Sequence, residues 1–118
     1  MSEVDSYILQ FGPQVQSRLV FIRKTAWQSF GEAGERLYHK LPSLFQNGHS
    51  FLSYGAYKNH IAICVGYNLT HFLKSQYPQF KYTKSTITFP HSEPFPEEIV
   101  RTICHLLKQE LAKGILPT

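Results

Sequence analysis

The chain has 118 residues, of which 42% are hydrophobic, 14% aromatic and 17% charged. That is the size of one compact domain, over 1–118, with a core that needs no metal or disulfide staple, and the modest charge content excludes disorder over most of its length. Twelve Lys and Arg against eight Asp and Glu give a formal +4 without any block of like charge, which favours anionic partners mildly and lacks the basic stripe or recognisable module of a nucleic-acid binder.

Ser2 with Asp5 forms a capping-box pattern that opens a short helix through about Gln10, anchored by Tyr7, Ile8 and Phe11. Gly12-Pro13 restarts the chain, because proline is well tolerated in a first helical turn. Val15, Leu19, Ile22, Ala26 and Phe30 fall on one helical face and predict a helix over 13–30, with Gly31 as its stop. Arg36–Leu41 then reads as a strand interrupted by Pro42. Asn47-Gly48 between Phe45-Gln46 and His49–Phe51 predicts a tight hairpin, since a type I′ turn requires positive φ at both central residues.

The strand after that hairpin runs to about Tyr57, Lys58-Asn59 turn the chain, and His60–Val65 is a further strand. Gly66 ends it, and Asn68 is the expected N-cap of a short helix carrying Leu69, Phe72 and Leu73, closed by Tyr77-Pro78. Ser85–Phe89 alternates as a last strand. Pro90 through Pro96 is a rigid connector, and Pro96 followed by Glu97 and Glu98 suits a helix start, with acids at the positive end of the dipole. Ile99, Val100, Ile103, Leu106, Leu107 and Leu111 form that helix's apolar face, and Gly114 closes it. The expected class is α+β: an antiparallel sheet of about five strands with the N- and C-terminal helices packed on one face.

No apolar run approaches the roughly 18 residues of a membrane span, and Met1-Ser2-Glu3 begins without the basic and apolar regions of a signal peptide. The expectation is a cytoplasmic protein with no membrane partner, in which Cys64 and Cys104 are reduced and buried.

The candidate chemistries are sparse. No CxxC or HxxxH pair is present. His60 and Cys64 share a strand face, but at about 3.3 Å per residue they stand about 13 Å apart, too far for one ion. Hard cations prefer carboxylates, yet Asp5 is the single Asp, and the helix over 13–30 holds no acid while carrying Arg18, Arg23 and Lys24. Glu32 with Glu35, and Glu93 with Glu97 and Glu98, are the acidic clusters; the last two are better explained as dipole partners. No G-x-S-x-G elbow, GxGxxG loop or GxxxxGK[ST] loop occurs, so an enzyme is disfavoured.

Strand alternation places Ala56, Lys58, His60, Ala62 and Cys64 on one side if the chain stays extended, and Lys84, Thr86 and Thr88 on one side of the last strand. Were the two rows to share a face, Tyr57, Lys58, His60, Lys84 and Thr86 would form a donor-rich positive patch for a small anion, against the plainer reading of a solvated sheet face. The aromatics Tyr38, Phe45, Phe51, Tyr54, Tyr57 and Phe89 read as cross-strand packing in preference to a stacking platform for bases.

Several of these residues recur in order in a known family. Tyr7-Ile8-x-x-Phe11 before Pro13, then Tyr38, Leu41, Pro42 and Phe45 in the spacing of a Y-x-x-M-P-x-x-F element with Leu for Met, then Ala56–Ile61, then Lys84–Phe89 before Pro90, together resemble the YdhG-like family of small bacterial domains. The resemblance covers nearly the whole chain. It implies helices on an antiparallel sheet of about five strands. Members of that family have been likened to frataxin and one is described as an intracellular iron chaperone, so it also implies iron delivery to iron–sulfur or haem assembly. The first expectation is therefore a non-enzymatic binding or accessory domain for a small anion or a partner protein, without a cofactor. The alternatives are an iron chaperone using Glu32 and Glu35, and an enzyme acting on a phosphorylated or acidic metabolite.

Overall fold

The Ser2 hydroxyl accepts the Asp5 N–H at 3.1 Å, and the Asp5 carboxylate accepts the Ser2 N–H at 2.9 Å. This reciprocal cap satisfies two donors that an isolated first turn leaves open, and it starts helix α1, Glu3–Leu9. The computed structural model describes residues 1–31 and 33–114. Helix α2 follows at Pro13–Ser29 with the proline in its first turn, and it buries Leu19, Ile22 and Ala26 completely.

Among the described residues, six antiparallel strands form one sheet: β1 Gly34–Tyr38, β2 Leu41–Gln46, β3 His49–Ala56, β4 His60–Cys64, β5 Lys81–Tyr82 and β6 Thr86–Pro90, in the order β1-β2-β3-β4-β6-β5. Helix α3, Tyr67–Gln76, lies between β4 and β5 in sequence, and α4, Glu97–Ala112, closes the chain against α2. The helices pack on one face of the sheet, as the sequence predicts.

Cross-strand partners project from the same face, so the register sorts every strand residue. The inner rows are Tyr54–Ile63–Ile87–Tyr82 and Ala56–Ile61–Phe89. They meet Leu19, Ile22 and Ala26 from α2, Leu69 and Leu73 from α3, and Ile99, Ile103 and Leu107 from α4 in one apolar core. Each fully buried Leu or Ile contributes about 1.5–3 kcal/mol of transfer free energy. The Tyr82 hydroxyl reaches the Tyr77 carbonyl at 2.8 Å and the Leu73 carbonyl at 3.2 Å, fastening the end of α3 to β5.

Four local expectations shift. The strand read over 36–41 ends at Tyr38, and the chain turns at His39 and Lys40, whose φ values are +51° and +68°. A two-residue turn of this kind normally uses Asn-Gly, as Asn47-Gly48 does here at +53° and +79°, so a His-Lys turn carries no sequence signature. Pro42 lies inside β2 opposite Leu37 instead of breaking a strand. The two-residue turn directs the nitrogen at position 42 away from β1, and the β2–β3 pairing stops at Ser43–Ser53, so no ladder bond is lost. Helix α3 is capped by Gly66, not Asn68: at φ +87° and ψ 166° it occupies a region that only glycine enters at low cost. Finally β5, two residues long, is too short to leave a pattern, and it brings the sheet from about five strands to six.

Both sheet edges are blunted. The Leu37 N–H on the open side of β1 donates to the Glu3 carboxylate of α1 at 3.0 Å, and the opposite edge is the two-residue β5. Such edges resist pairing with a further strand.

Candidate functional site

The helices leave most of the other face of the sheet uncovered, except at Gly55, where Leu41 and the Tyr7 hydroxyl of α1 close over it. One row crosses it strand by strand: Arg36 opposite Ser43, Ser43 opposite Ser53, Ser53 opposite Cys64, Cys64 opposite Thr86. The next row pairs Tyr38 with Leu41 on one side and Gly55 with Ala62, Thr88 and Lys81 on the other. A third pairs His60 with Pro90. The centre of this face is thus made of hydroxyls and small side chains, and its margins carry cations and rings.

Hydrogen bonds fix the polar centre. The Ser43 hydroxyl, fully buried, lies 2.7 Å from that of Ser53 and 3.0 Å from the Leu41 carbonyl. At the β1–β2 margin the Arg36 guanidinium stands 4.2 Å from the Phe45 ring centre and 6.0 Å from that of Tyr38, whose ring meets Phe45 edge-on at 5.4 Å. The turn beside it is strained. A left-handed conformation costs a non-glycine residue about 1–2 kcal/mol, and His39 and Lys40 adopt it in succession, which fixes where an imidazole and an ammonium leave the rim.

At the β3–β4 turn the Tyr57 N–H donates to the His60 carbonyl at 2.8 Å, and the two rings stack at 5.1 Å with planes 20° apart. The Tyr57 carbonyl lies 2.7 Å from His91 Nε2, which must donate because a carbonyl only accepts. The His91 backbone N–H donates to the Asn59 carbonyl at 2.9 Å. Tyr57 is thereby held on its backbone while its ring stays 48% exposed.

The structure brings together part of the expected patch. Tyr57, Lys58 and His60 share the β3–β4 turn, and Thr86 lies on the outer face near Lys84. These are opposite ends of the β4–β6 pair: His60 faces Pro90 while Thr86 faces Cys64, four residues away along the strand, or about 13 Å. One small anion cannot touch both groups. Lys84 Nζ instead lies 6.0 Å from the Tyr67 ring centre.

The expected metal carboxylates fare differently. Glu35 points to the helical side, where Arg23 donates to both of its oxygens at 2.7–3.1 Å. That leaves it committed to an ion pair instead of free for a metal. Glu32 lies outside the described residues. Among the described residues no group of three or more His, Cys, Asp or Glu is placed to hold a metal ion, and no helix is long and apolar enough to cross a membrane. Cys104 is buried on α4, which pushes its thiol up to about 12, while Cys64 is half-buried on the outer face, 3.8 Å from the Ser85 hydroxyl.

From Arg36 to Ser92 the chain contains no Asp or Glu, yet it carries Arg36, Lys40, Lys58, Lys74, Lys81 and Lys84. Arg36 and Lys81 lie on the outer face, and Lys40, Lys58 and Lys84 on turns at its rim. The described acids lie elsewhere: on α1, on the inner side of β1, in the connector before α4, and on α4. The six expected aromatics also divide. Phe51, Tyr54 and Phe89 are core residues, whereas Tyr38 and Tyr57 are 43% and 48% exposed.

No family model matches the sequence, and a comparison with curated proteins finds no match. Among solved structures, the chain is similar to YdhG of Bacillus subtilis, a protein of the DUF1801 family, with a TM-score of 0.80 at 14% identity over 95% of this chain and 92% of that one. It is also similar to an uncharacterized conserved protein of COG5646 from Lactobacillus casei, with a TM-score of 0.60 at 14% identity over 92% of each chain. Neither structure is a frataxin, and the frataxin likeness implied by the sequence finds no support in them. The resemblance to YdhG-type proteins is upheld at the level of architecture: the fold of this chain is that of the YdhG structure.

Proposed function

We propose that the protein is a non-catalytic binding module that takes an anionic partner on the uncovered face of its sheet. The observation that carries this reading is the partition of charge: the strands and turns that build the face hold cations and no acid over residues 36–92, while the described acids lie outside that stretch. An open face with one sign of charge attracts and orients an opposite charge, and the Thr86 hydroxyl adds a hydrogen-bond donor, the Ser43, Ser53 and Thr88 protons being committed within the sheet. A hollow of about 670 Å³ between the ends of α2 and α4 is lined by Phe30, Phe45 and Leu111, with Lys108 as the ionisable group among its described lining residues, which favours binding over acid–base chemistry.

The test is a titration of isotope-labelled protein with inorganic tripolyphosphate at low salt, followed by amide NMR. Shifts concentrated at Arg36, Ser53, Thr88 and Lys81 support the assignment, with binding weakened about tenfold in the Arg36→Gln, Lys81→Gln double variant. Shifts confined to the helical side, or no shifts, overturn it.

A further inference from the structure

Resting on that reading of the sheet face, we propose that its partner is a single-stranded nucleic acid, with bases stacked on Tyr38 and Tyr57 and phosphates held by Arg36 and the rim lysines.

Charge complementarity requires only a polyanion. The rings narrow the choice. Tyr38 and Tyr57 are large side chains left 43% and 48% exposed on a face whose interior neighbours are small or hydroxylated. Both are fixed by neighbouring rings: Tyr38 by His39 at 4.1 Å and the edge of Phe45, and Tyr57 by the stacked His60 ring. The remaining ring surface is presented to solvent at little further entropic cost. Arg36, spread between Phe45 and Tyr38, adds a planar cation beside the first ring. Exposed aromatics with interleaved cations on an open antiparallel sheet are what unstacked bases need, because every base has a π face and every nucleotide a phosphate.

The competing occupants fit less well. An acidic peptide that added itself as a strand would need an open edge, but Glu3 occupies the Leu37 N–H and β5 is two residues long. Such a peptide would leave both tyrosines unused. A duplex keeps its bases stacked inside and offers nothing for the rings, and a six-stranded sheet is too broad to enter its grooves. A six-stranded sheet at about 4.8 Å per strand is about 24 Å across, room for several extended nucleotides.

The experiment is fluorescence anisotropy of the whole protein with a labelled oligothymidine of about twelve nucleotides, at several salt concentrations, beside the tripolyphosphate titration. Binding is expected to weaken with salt, with a log–log slope of about −2 to −3 for three or four phosphates neutralised. Tyr38→Ala and Tyr57→Ala should each weaken it about tenfold. Both side chains are exposed, so an unchanged melting temperature shows that the variants fold. Tyrosine variants that bind like the parent, or a duplex of equal length that binds as tightly, overturn the nucleic-acid assignment. If tripolyphosphate still shifts the sheet face in that case, the anion-binding reading survives; if neither probe binds the parent, both fall.

Discussion

Arg23 in α2 grips Glu35 in β1 through both carboxylate oxygens, at 2.7–3.1 Å, and spends its remaining nitrogen on Asp5 of α1 at 2.6 Å. One side chain therefore joins two helices and the first strand. Its guanidinium also lies 4.4 Å from the Trp27 ring centre, which shields the pair from water on one side. The arrangement explains why a sheet whose outer face lacks acids needs Glu35 on the inside: it answers the cation that the basic helix α2 brings to the core's edge.

Arg23→Ala should destabilise the fold by on the order of 3 kcal/mol, because it strands Glu35 with 13% exposure opposite no cation. Urea unfolding measures it, and a Glu35→Gln partner completes a double-mutant cycle. A loss well under 1 kcal/mol would mean that the pair behaves as a solvated surface bridge.

The Asp5 carboxyl is held at about 2, against an ordinary 3.8, chiefly by its hydrogen bond from Arg23 and then by those from Ser2. A depressed folded-state value means that the unfolded chain binds the proton more readily. The contribution is therefore fully present above about pH 4 and fades as pH falls through 2. In a series of melts from neutral pH down to pH 2, Asp5→Asn should flatten the acid limb while leaving Glu35 and Arg23 paired. An acid limb identical to the parent's would show that the Asp5 bond adds nothing in solution.

Gly55 is closed to any side chain. A Cβ there would sit 2.5 Å from Leu41 Cδ2 and 2.8 Å from the Tyr7 hydroxyl, the same hydroxyl that accepts the Ala56 N–H at 3.0 Å. Gly55→Ala should cost about 1–3 kcal/mol by overpacking. Pairing it with Leu41→Ala should recover part of the loss, since the leucine is the nearer obstacle. No recovery would point to displacement of Tyr7 as the main cost.

The two thiols should separate cleanly at pH 8. Cys104 combines full burial with a thiol pushed up to about 12, whereas Cys64 lies half-buried among Ser53, Ser85 and Thr86 on the outer face. A thiolate is the reactive form, so mass spectrometry after brief alkylation should find label on Cys64 and none on Cys104 until denaturant is added. Equal labelling would mean that α4 opens readily from the core.

Much of the fold was legible in the sequence because it rests on local physics. The Ser2–Asp5 cap, the proline start of α2, the Asn47-Gly48 hairpin and the apolar stripe of α4 each depend on residues a few positions apart, and all four stand in the structure. The His39-Lys40 turn and the two-residue β5 were not legible. The first uses residues that pay for left-handed backbone instead of favouring it, and the second exists only because β6 is there to pair with it.

The candidate site divides in the same way. Sequence alone determined that the cations of this chain outnumber its acids, that no acid occurs between Arg36 and Ser92, and which strand residues alternate. Tertiary structure decided which alternating set faces water, that His60 and Thr86 are separated by the length of β4, and that Arg36, Tyr38 and Tyr57 belong to one surface. Alternation gives two faces without saying which one the helices cover. That choice is made by long-range burial of Ile61, Ile63, Ile87 and Phe89 against α2, α3 and α4, and with it the apolar side of β3, β4 and β6 turns inward and the acid-free side of the sheet is left to the solvent.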